Sequence, residues 1–159
     1  MNKVYFLLGS NIGNSKACIK LAKTLIEKNI GHIRRQSDLY TTAAWGNTNQ
    51  PDFLNQAIIV ETVLSAVDTM QTGLAIEKKM GRVRTIKNAP RIIDIDILFF
   101  NKEIIEEEQL SIPHSQIQNR RFVLVPLNQL SPNLIHPVIK KTVHQLLIHC
   151  PDKLNVKKF

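Results

Sequence analysis

The stretch 91–100, Arg-Ile-Ile-Asp-Ile-Asp-Ile-Leu-Phe-Phe, constrains the fold more than any other part of the chain. Alternate side chains of a strand share a face. Asp94 and Asp96 therefore point the same way, roughly 7 Å apart at their Cα atoms. Ile93, Ile95, Ile97 and Phe99 point the other way, into a core. Two carboxylates on an apolar strand repel each other and resist desolvation, so a cation should compensate them. Hard oxygen ligands favour Mg²⁺, which takes one or two carboxylates and completes its shell with waters and substrate phosphates. Taken alone, such a pair more often marks the solvated face of an edge strand.

The rest of the chain supplies a frame for that strand. Its 159 residues, 43% hydrophobic, suit one domain over 1–159 with a full-sized core. Residues 4–8 (VYFLL) read as a strand buried on both faces, and Gly9-Ser10-Asn11 turns the chain. Asn14 or Ser15 caps a helix whose Cys18, Leu21, Ala22, Leu25 and Ile26 fall at helical spacing. A second strand is expected at about 33–40 and a third at 53–63. Ser65-Ala66-Val67-Asp68 has the form of a capping box. The helix it opens has Val67, Met70 and Leu74 as its apolar side. Glu77 continues that spacing, either as a helix-end charge reaching solvent or as a hydrogen-bonding group behind a site. After the 92–100 strand, 117–130 reads as partly helical. The order β-α-β-β-α-β is that of an α+β, ferredoxin-like fold. It predicts a mainly antiparallel sheet packed by helices, with a C-terminal addition.

A net charge of +8 suits anionic partners. Its placement is informative: residues 78–91 hold Lys78, Lys79, Arg82, Arg84, Lys87 and Arg91 and no acid. A basic loop feeding a strand with two acids suits a metal–polyphosphate site. The acids hold metal and the guanidinium forks hold phosphate oxygens. Phosphoryl-type transfer depends mainly on such positioning and charge neutralisation. A basic surface loop for RNA fits the same residues. Downstream, His114, Arg120 and Phe122 gather an imidazole, a guanidinium and an aromatic, although a lone His is more often structural or a surface residue and a Phe more often core. The polar loop 41–52 and its border offer Trp45, Phe53 and Asn55, the aromatic faces and amide edge a flat heterocycle needs. Trp45 is equally readable as a surface anchor or a core plug. Neither GxxxxGK[ST] nor GxGxxG occurs. No apolar run approaches the roughly 20 residues of a membrane span, the N-terminus lacks a signal-peptide pattern, and Cys18 and Cys150 match no metal spacing. A cytoplasmic protein without membrane partners is expected.

Six segments in order carry a resemblance: LGSNIGN at 8–14, QPDFLNQA at 50–57, IEKKMGRVR at 76–84, PRIIDIDILFF at 90–100, PH at 113–114 and NRRFVLVPL at 119–127. Over about 4–137 the chain resembles the 6-hydroxymethyl-7,8-dihydropterin pyrophosphokinase (HPPK) family. The resemblance implies binding of ATP with two Mg²⁺ ions and then of the pterin. The pterin hydroxyl attacks the β-phosphorus and AMP leaves. It also implies roles. Asp94 and Asp96 resemble the metal-binding aspartates, and Arg82 and Arg91 the catalytic arginines. Arg84, Ser111, His114 and Arg120 match ATP contacts. Thr42, Ala43, Ala44, Trp45, Phe53, Asn55 and Phe122 match the pterin pocket, with the two phenylalanines sandwiching the ring. Asn11 and Glu77 match supporting positions. The loops at about 42–52 and 81–91 would be lids that exclude water.

The sequence departs from the family pattern at Asn88, Ala89, Thr85, Ser115 and Ala43-Ala44, which bears on affinity and lid motion more than on chemistry. A monomer acting on small molecules, without nucleic acid, is expected. The rival from another class is an RNA-binding module. Against it, 53–60 lacks the basic-Gly-aromatic signature of an RRM, and the last strand presents carboxylates that phosphates avoid without metal. A pterin-binding paralogue that has lost catalysis is the third reading.

Overall fold

The computed structural model describes residues 1–43, 49–83 and 90–159. The core runs β1 (Asn2–Ser10), α1 (Ser15–Asn29), β2 (Gly31–Gln36), β3 (Tyr40–Thr42), β4 (Phe53–Thr62), α2 (Ala66–Lys79) and β5 (Asp94–Phe100). The C-terminal addition supplies a small hairpin of β6 (Ile105–Glu106) and β7 (Ser111–Ile112). It continues with α3 (Arg121–Leu130), α4 (Val143–Ile148) and β8 (Val156–Lys158). The main sheet has the order β5-β1-β4-β3-β8, with β2 also paired to β4. Its pairings are antiparallel. This is the expected α+β, ferredoxin-like arrangement.

Where one strand was expected at 33–40, the structure has two. Ser37 breaks the ladder. Its backbone N–H donates to Ala57 O (2.8 Å), its hydroxyl accepts from Ala57 N–H (3.0 Å), and its carbonyl accepts from the Gln56 amide (2.7 Å). The buried serine thus satisfies β4 locally, so β2 pairs with its far half and β3 with 53–55.

The sheet is covered on both faces. Val4, Phe6, Leu8, Ile58, Val60, Ile95 and Ile97 pack with residues of α1 and α2. Tyr5, Leu7, Ala57, Ile59 and Leu98 pack with residues of α3 and α4. Phe99 corrects the simple alternation. Phe6 faces Ile97 while Tyr5 faces Phe99, which leaves Leu98 as an extra residue. A bulge of one residue reverses the faces beyond it. Phe99 therefore joins the α3–α4 side, edge-on to Tyr5 with ring centroids 5.9 Å apart, and Phe100 returns to the other.

Both helices start at the expected caps: the Asn14 side chain accepts from Ala17 N–H and that of Ser65 from Asp68 N–H, both at 3.1 Å, the latter being one half of the expected capping box. The helix faces need correction. α1 buries Ile19, Ala22 and Ile26, while Leu21 is 50% exposed and Cys18 only half-buried. α2 buries Ala66, Thr69, Gly73, Ile76 and Glu77, while Val67 and Leu74 face solvent. Small residues let α2 lie close on β5: a Cβ added at Gly73 would sit 3.7 Å from the Ile95 Cγ2 methyl. Counting apolar residues alone misplaces the stripe: Met70 does pack on the core, but Val67 and Leu74 give way to the smaller Ala66, Thr69 and Gly73 beside Ile76.

Candidate active site

Antiparallel register across β4, β1 and β5 creates two rows of side chains. Asn55 faces Gly9, which faces Asp94; two residues along, Ala57 faces Leu7, which faces Asp96. Residues two apart on a strand share a face, so the amide and both carboxylates open on one side. There they line a cleft. Thr42 borders it from the end of β3 and Ala43 from just beyond, Phe53 from the start of β4, Arg91 from the approach to β5, and Arg120 and Phe122 from the start of α3.

Gly9 is the floor of this cleft. A Cβ there would lie 2.8 Å from Asn55 Oδ1 and 3.7 Å from the Phe53 ring. The missing side chain is the space in which the Asn55 amide sits. Asn55 is 2% exposed, and its Nδ2 has no hydrogen-bond partner among the described residues. A buried amide donor left unpaired costs on the order of 1–3 kcal/mol, so its presence here points to a ligand acceptor.

Both oxygens of Asp94 are held by guanidiniums: Oδ1 lies 2.6 Å from Arg82 Nη1 and Oδ2 lies 2.7 Å from Arg91 Nη1. Arg82 Nη1 is also 3.0 Å from Glu77 Oε2. The same Glu77 oxygen accepts the Ile95 N–H (2.7 Å), the peptide between the two aspartates. Glu77 is 2% exposed, so of the two readings of this residue the solvent-reaching one is wrong. Asn11 ties the turn after β1 to both flanks of the cleft. It exchanges two hydrogen bonds with the Arg91 backbone (3.0 and 2.7 Å). Its amide also donates to Gln50 Oε1 (2.7 Å) and Pro51 O (3.0 Å).

Asp96 opens on the cleft with part of its surface, but protein atoms crowd it. Desolvation, then the charges of Asp94 and Glu77, push its carboxyl up to about 8, against the pull of Arg120 and Arg91. Such a group favours a proton or a cation. No cluster of three or more His, Cys, Asp or Glu disposed for a metal exists among the described residues. Two carboxylates with open positions fit Mg²⁺, which draws other ligands from water and phosphate, and do not suit a closed Zn²⁺ site.

Arg120 lies over the Phe122 ring at 5.8 Å from its centroid. Burial lowers the Arg120 guanidinium, opposed by Asp96 and Asp94. His114 is lowered by desolvation and then by Arg120, which keeps it neutral. Its Nδ1 faces the Gln116 N–H at 3.2 Å, which assigns the proton to Nε2.

Of the expected site residues, the cleft gathers Thr42, Ala43, Phe53, Asn55, Arg91, Asp94, Asp96, Arg120 and Phe122. Arg82, Glu77 and Asn11 stand behind it. Ser111 and His114 are not in its wall. They line an adjacent cleft with Ser115, Gln118 and His136, held to the edge of β5 by the His114 N–H bond to Leu98 O (3.0 Å). Ala44, Trp45 and Arg84 lie outside the described residues, as do Thr85, Asn88 and Ala89. Sequence reasoning missed Leu7 and Gly9 as cleft residues. Only the register, which sets them opposite Asp96 and Asp94, reveals them.

The family model of 7,8-dihydro-6-hydroxymethylpterin-pyrophosphokinase (HPPK) matches residues 5–132. The chain belongs to the HPPK family. It is 40% identical over 155 residues to the folic acid synthesis protein fol1 of Schizosaccharomyces pombe, covering 96% of this chain and 21% of that protein. It is 37% identical to the folic acid synthesis protein FOL1 of Dictyostelium discoideum, covering 98% of this chain and 23% of that one. The chain thus spans about a fifth of the length of those two relatives. The 2-amino-4-hydroxy-6-hydroxymethyldihydropteridine pyrophosphokinase of Aquifex aeolicus is 36% identical over 145 residues, covering 91% of this chain and 90% of its own. A crystal structure of wild-type Plasmodium falciparum HPPK-DHPS with pteroate shares the fold, with a TM-score of 0.77 and 20% identity over 92% of this HPPK chain and 44% of that one.

Proposed function

We propose that the chain transfers the pyrophosphoryl group of ATP to the hydroxymethyl group of 6-hydroxymethyl-7,8-dihydropterin, releasing AMP, as a step of folate biosynthesis. The observation that carries this is the row Asn55–Gly9–Asp94. It sets an unpaired amide beside an acidic, arginine-flanked site on one sheet face. Membership of the HPPK family supplies the reaction class. Phe53 and Phe122 would sandwich the pterin ring, Asn55 would read its edge, and Thr42, Ala43, Ala44 and Trp45 would close its pocket. Asp94 and Asp96 would hold Mg²⁺, two ions with ATP, which would supply charge neutralisation for the polyphosphate. Arg82 and Arg91 would stabilise charge on the transferring group, because guanidinium forks match phosphate oxygens. Arg84, Ser111, His114 and Arg120 would hold the nucleotide, Ser111 and His114 from the second cleft and Arg120 from the wall of the first. The pterin oxygen bonds to the β-phosphorus, the bond from that phosphorus to the α-phosphate bridging oxygen breaks, and the hydroxyl proton is released.

Both acids and both arginines of this scheme are present, which favours an active enzyme over an impaired paralogue. In this reading residues 1–159 act as one monomeric, cytoplasmic unit on small molecules, with no nucleic acid or membrane partner. No described helix is long and apolar enough to cross a membrane. With ATP, Mg²⁺ and the reduced pterin, chromatography of the products should show AMP and not ADP. Asp96→Ala should cut turnover about a hundredfold or more with an unchanged circular dichroism spectrum. Near-normal turnover in that variant would remove the metal assignment. Tight filter binding of mixed RNA without AMP release would favour the RNA-binding reading.

A further inference from the structure

The two arginines assigned to the substrate polyphosphate are already engaged. Arg82 and Arg91 each take a different oxygen of Asp94, at 2.6 and 2.7 Å. A carboxylate with both oxygens in charge-assisted hydrogen bonds is a poor ligand for an incoming cation. Conversely, a guanidinium held by a carboxylate is a poor partner for phosphate. Resting on the functional reading above, we propose that Asp94 is exchanged between the arginines and a divalent cation. When the cation takes the carboxylate, Arg91 is released toward the phosphate oxygens, and Arg82, still paired to Glu77, offers them only the N–H groups that Asp94 gave up. Cation and polyphosphate therefore assist each other's binding, and each alone binds weakly.

The exchange needs Arg82 to stay in place once Asp94 is given up. Glu77 provides for that. Its Oε2 is 3.0 Å from Arg82 Nη1, and the Ile95 N–H fixes it at 2.7 Å. Because Ile95 lies between the aspartates, one buried carboxylate sets both the strand that would carry the cation and the arginine that must leave it. Arg91 has a different restraint. Its backbone is clamped by Asn11 at 3.0 and 2.7 Å, so its side chain can swing while its Cα stays fixed. Arg82 is thus a tethered guanidinium and Arg91 a freely exchanging one.

The test reads binding, not turnover. Free Mn²⁺ is measured by electron paramagnetic resonance as it is titrated into the full chain without nucleotide. Removing the competitor in Arg91→Ala should tighten Mn²⁺ binding about tenfold, and Arg91→Lys should leave it weak. Lys79→Ala, which removes an exposed charge in the last turn of α2, gauges the general effect of lost positive charge and should change binding less than about twofold. The exchange is overturned if Arg91→Ala binds Mn²⁺ no tighter than Lys79→Ala. Should Arg91→Ala fail to fold by circular dichroism, Arg82→Ala carries the same expectation. Calorimetry with the Mg²⁺ complex of α,β-methylene-ATP separates the two claims. Wild type binding that complex while Arg91→Ala shows no Mn²⁺ gain overturns the exchange alone. Wild type binding neither the complex nor Mn²⁺ overturns the functional reading and the exchange with it.

Discussion

At the scale of single residues, the cleft depends as much on an absent side chain as on those present. Gly9 stands between Asn55 and Asp94, and any Cβ there meets the amide oxygen at 2.8 Å. Gly9→Ala must therefore push the Asn55 amide from its place. Loss of its ligand hydrogen bonds costs about 1–3 kcal/mol, so calorimetry should show pterin affinity weakened about tenfold or more. ATP affinity should stay within about twofold. Asn55→Ala should have a similar effect. The two changes act on one amide, so the double variant should lose little more than either alone. Additive losses would show that Gly9 acts by another route. The sequence made Asn55, Phe53 and both aspartates legible, because their chemical types are informative wherever they stand. Gly9 was legible only as part of a turn, since a glycine announces nothing about what approaches it.

Among the elements, the helices were announced by their ends and misjudged on their faces. Ser65 caps α2 through the Asp68 N–H. Ser65→Ala should cost about 1 kcal/mol, seen as a fall of about 2–4 °C in the melting temperature, without loss of turnover. Gly31 should behave differently. It pairs with Thr62 at the start of β2, and a Cβ there would fall 1.9 Å from the Glu61 carbonyl oxygen. Backbone cannot yield as a flexible side chain does, so Gly31→Ala should destabilise by about 3 kcal/mol or more in urea unfolding. An effect as small as that of Ser65→Ala would show that β2 shifts without cost. The break between β2 and β3 and the bulge at Leu98 were not legible. Both depend on which residue of a neighbouring strand stands opposite, as Ser37 does to Ala57.

For the whole molecule, the site stands at one end of a sheet whose two faces are otherwise packed, and it burdens the metal-free fold with crowded acids. Asp96 is raised from 3.8 to about 8. The unfolded chain therefore gives up this proton first, and the folded state is favoured in acid. Without divalent cations, the contribution of Asp96 should weaken as pH rises from about 4 and level off beyond about 8. Melting with a chelator present should place Asp96→Asn above wild type by a margin that widens with pH up to about 8 and then stays constant. A margin independent of pH would mean that Asp96 ionises in the fold as freely as in the unfolded chain. Added Mg²⁺ should raise the melting temperature of wild type more than that of Asp96→Asn, because binding to the folded state alone stabilises it.

The sequence by itself determined the alternation of strands and helices apart from the split of the second strand, the helix caps, the shared face of Asp94 and Asp96, and the basic run that precedes them. These follow from local spacing and residue chemistry, which act within a few residues of one another. Only the tertiary structure decided that Asn55, Gly9 and Asp94 form one row, that Glu77 is buried against Arg82 and Ile95, and that both guanidiniums rest on Asp94. The physical reason is register. Which side chains meet across antiparallel strands, and which charges must pair when water is excluded, is set by distant parts of the chain packing together.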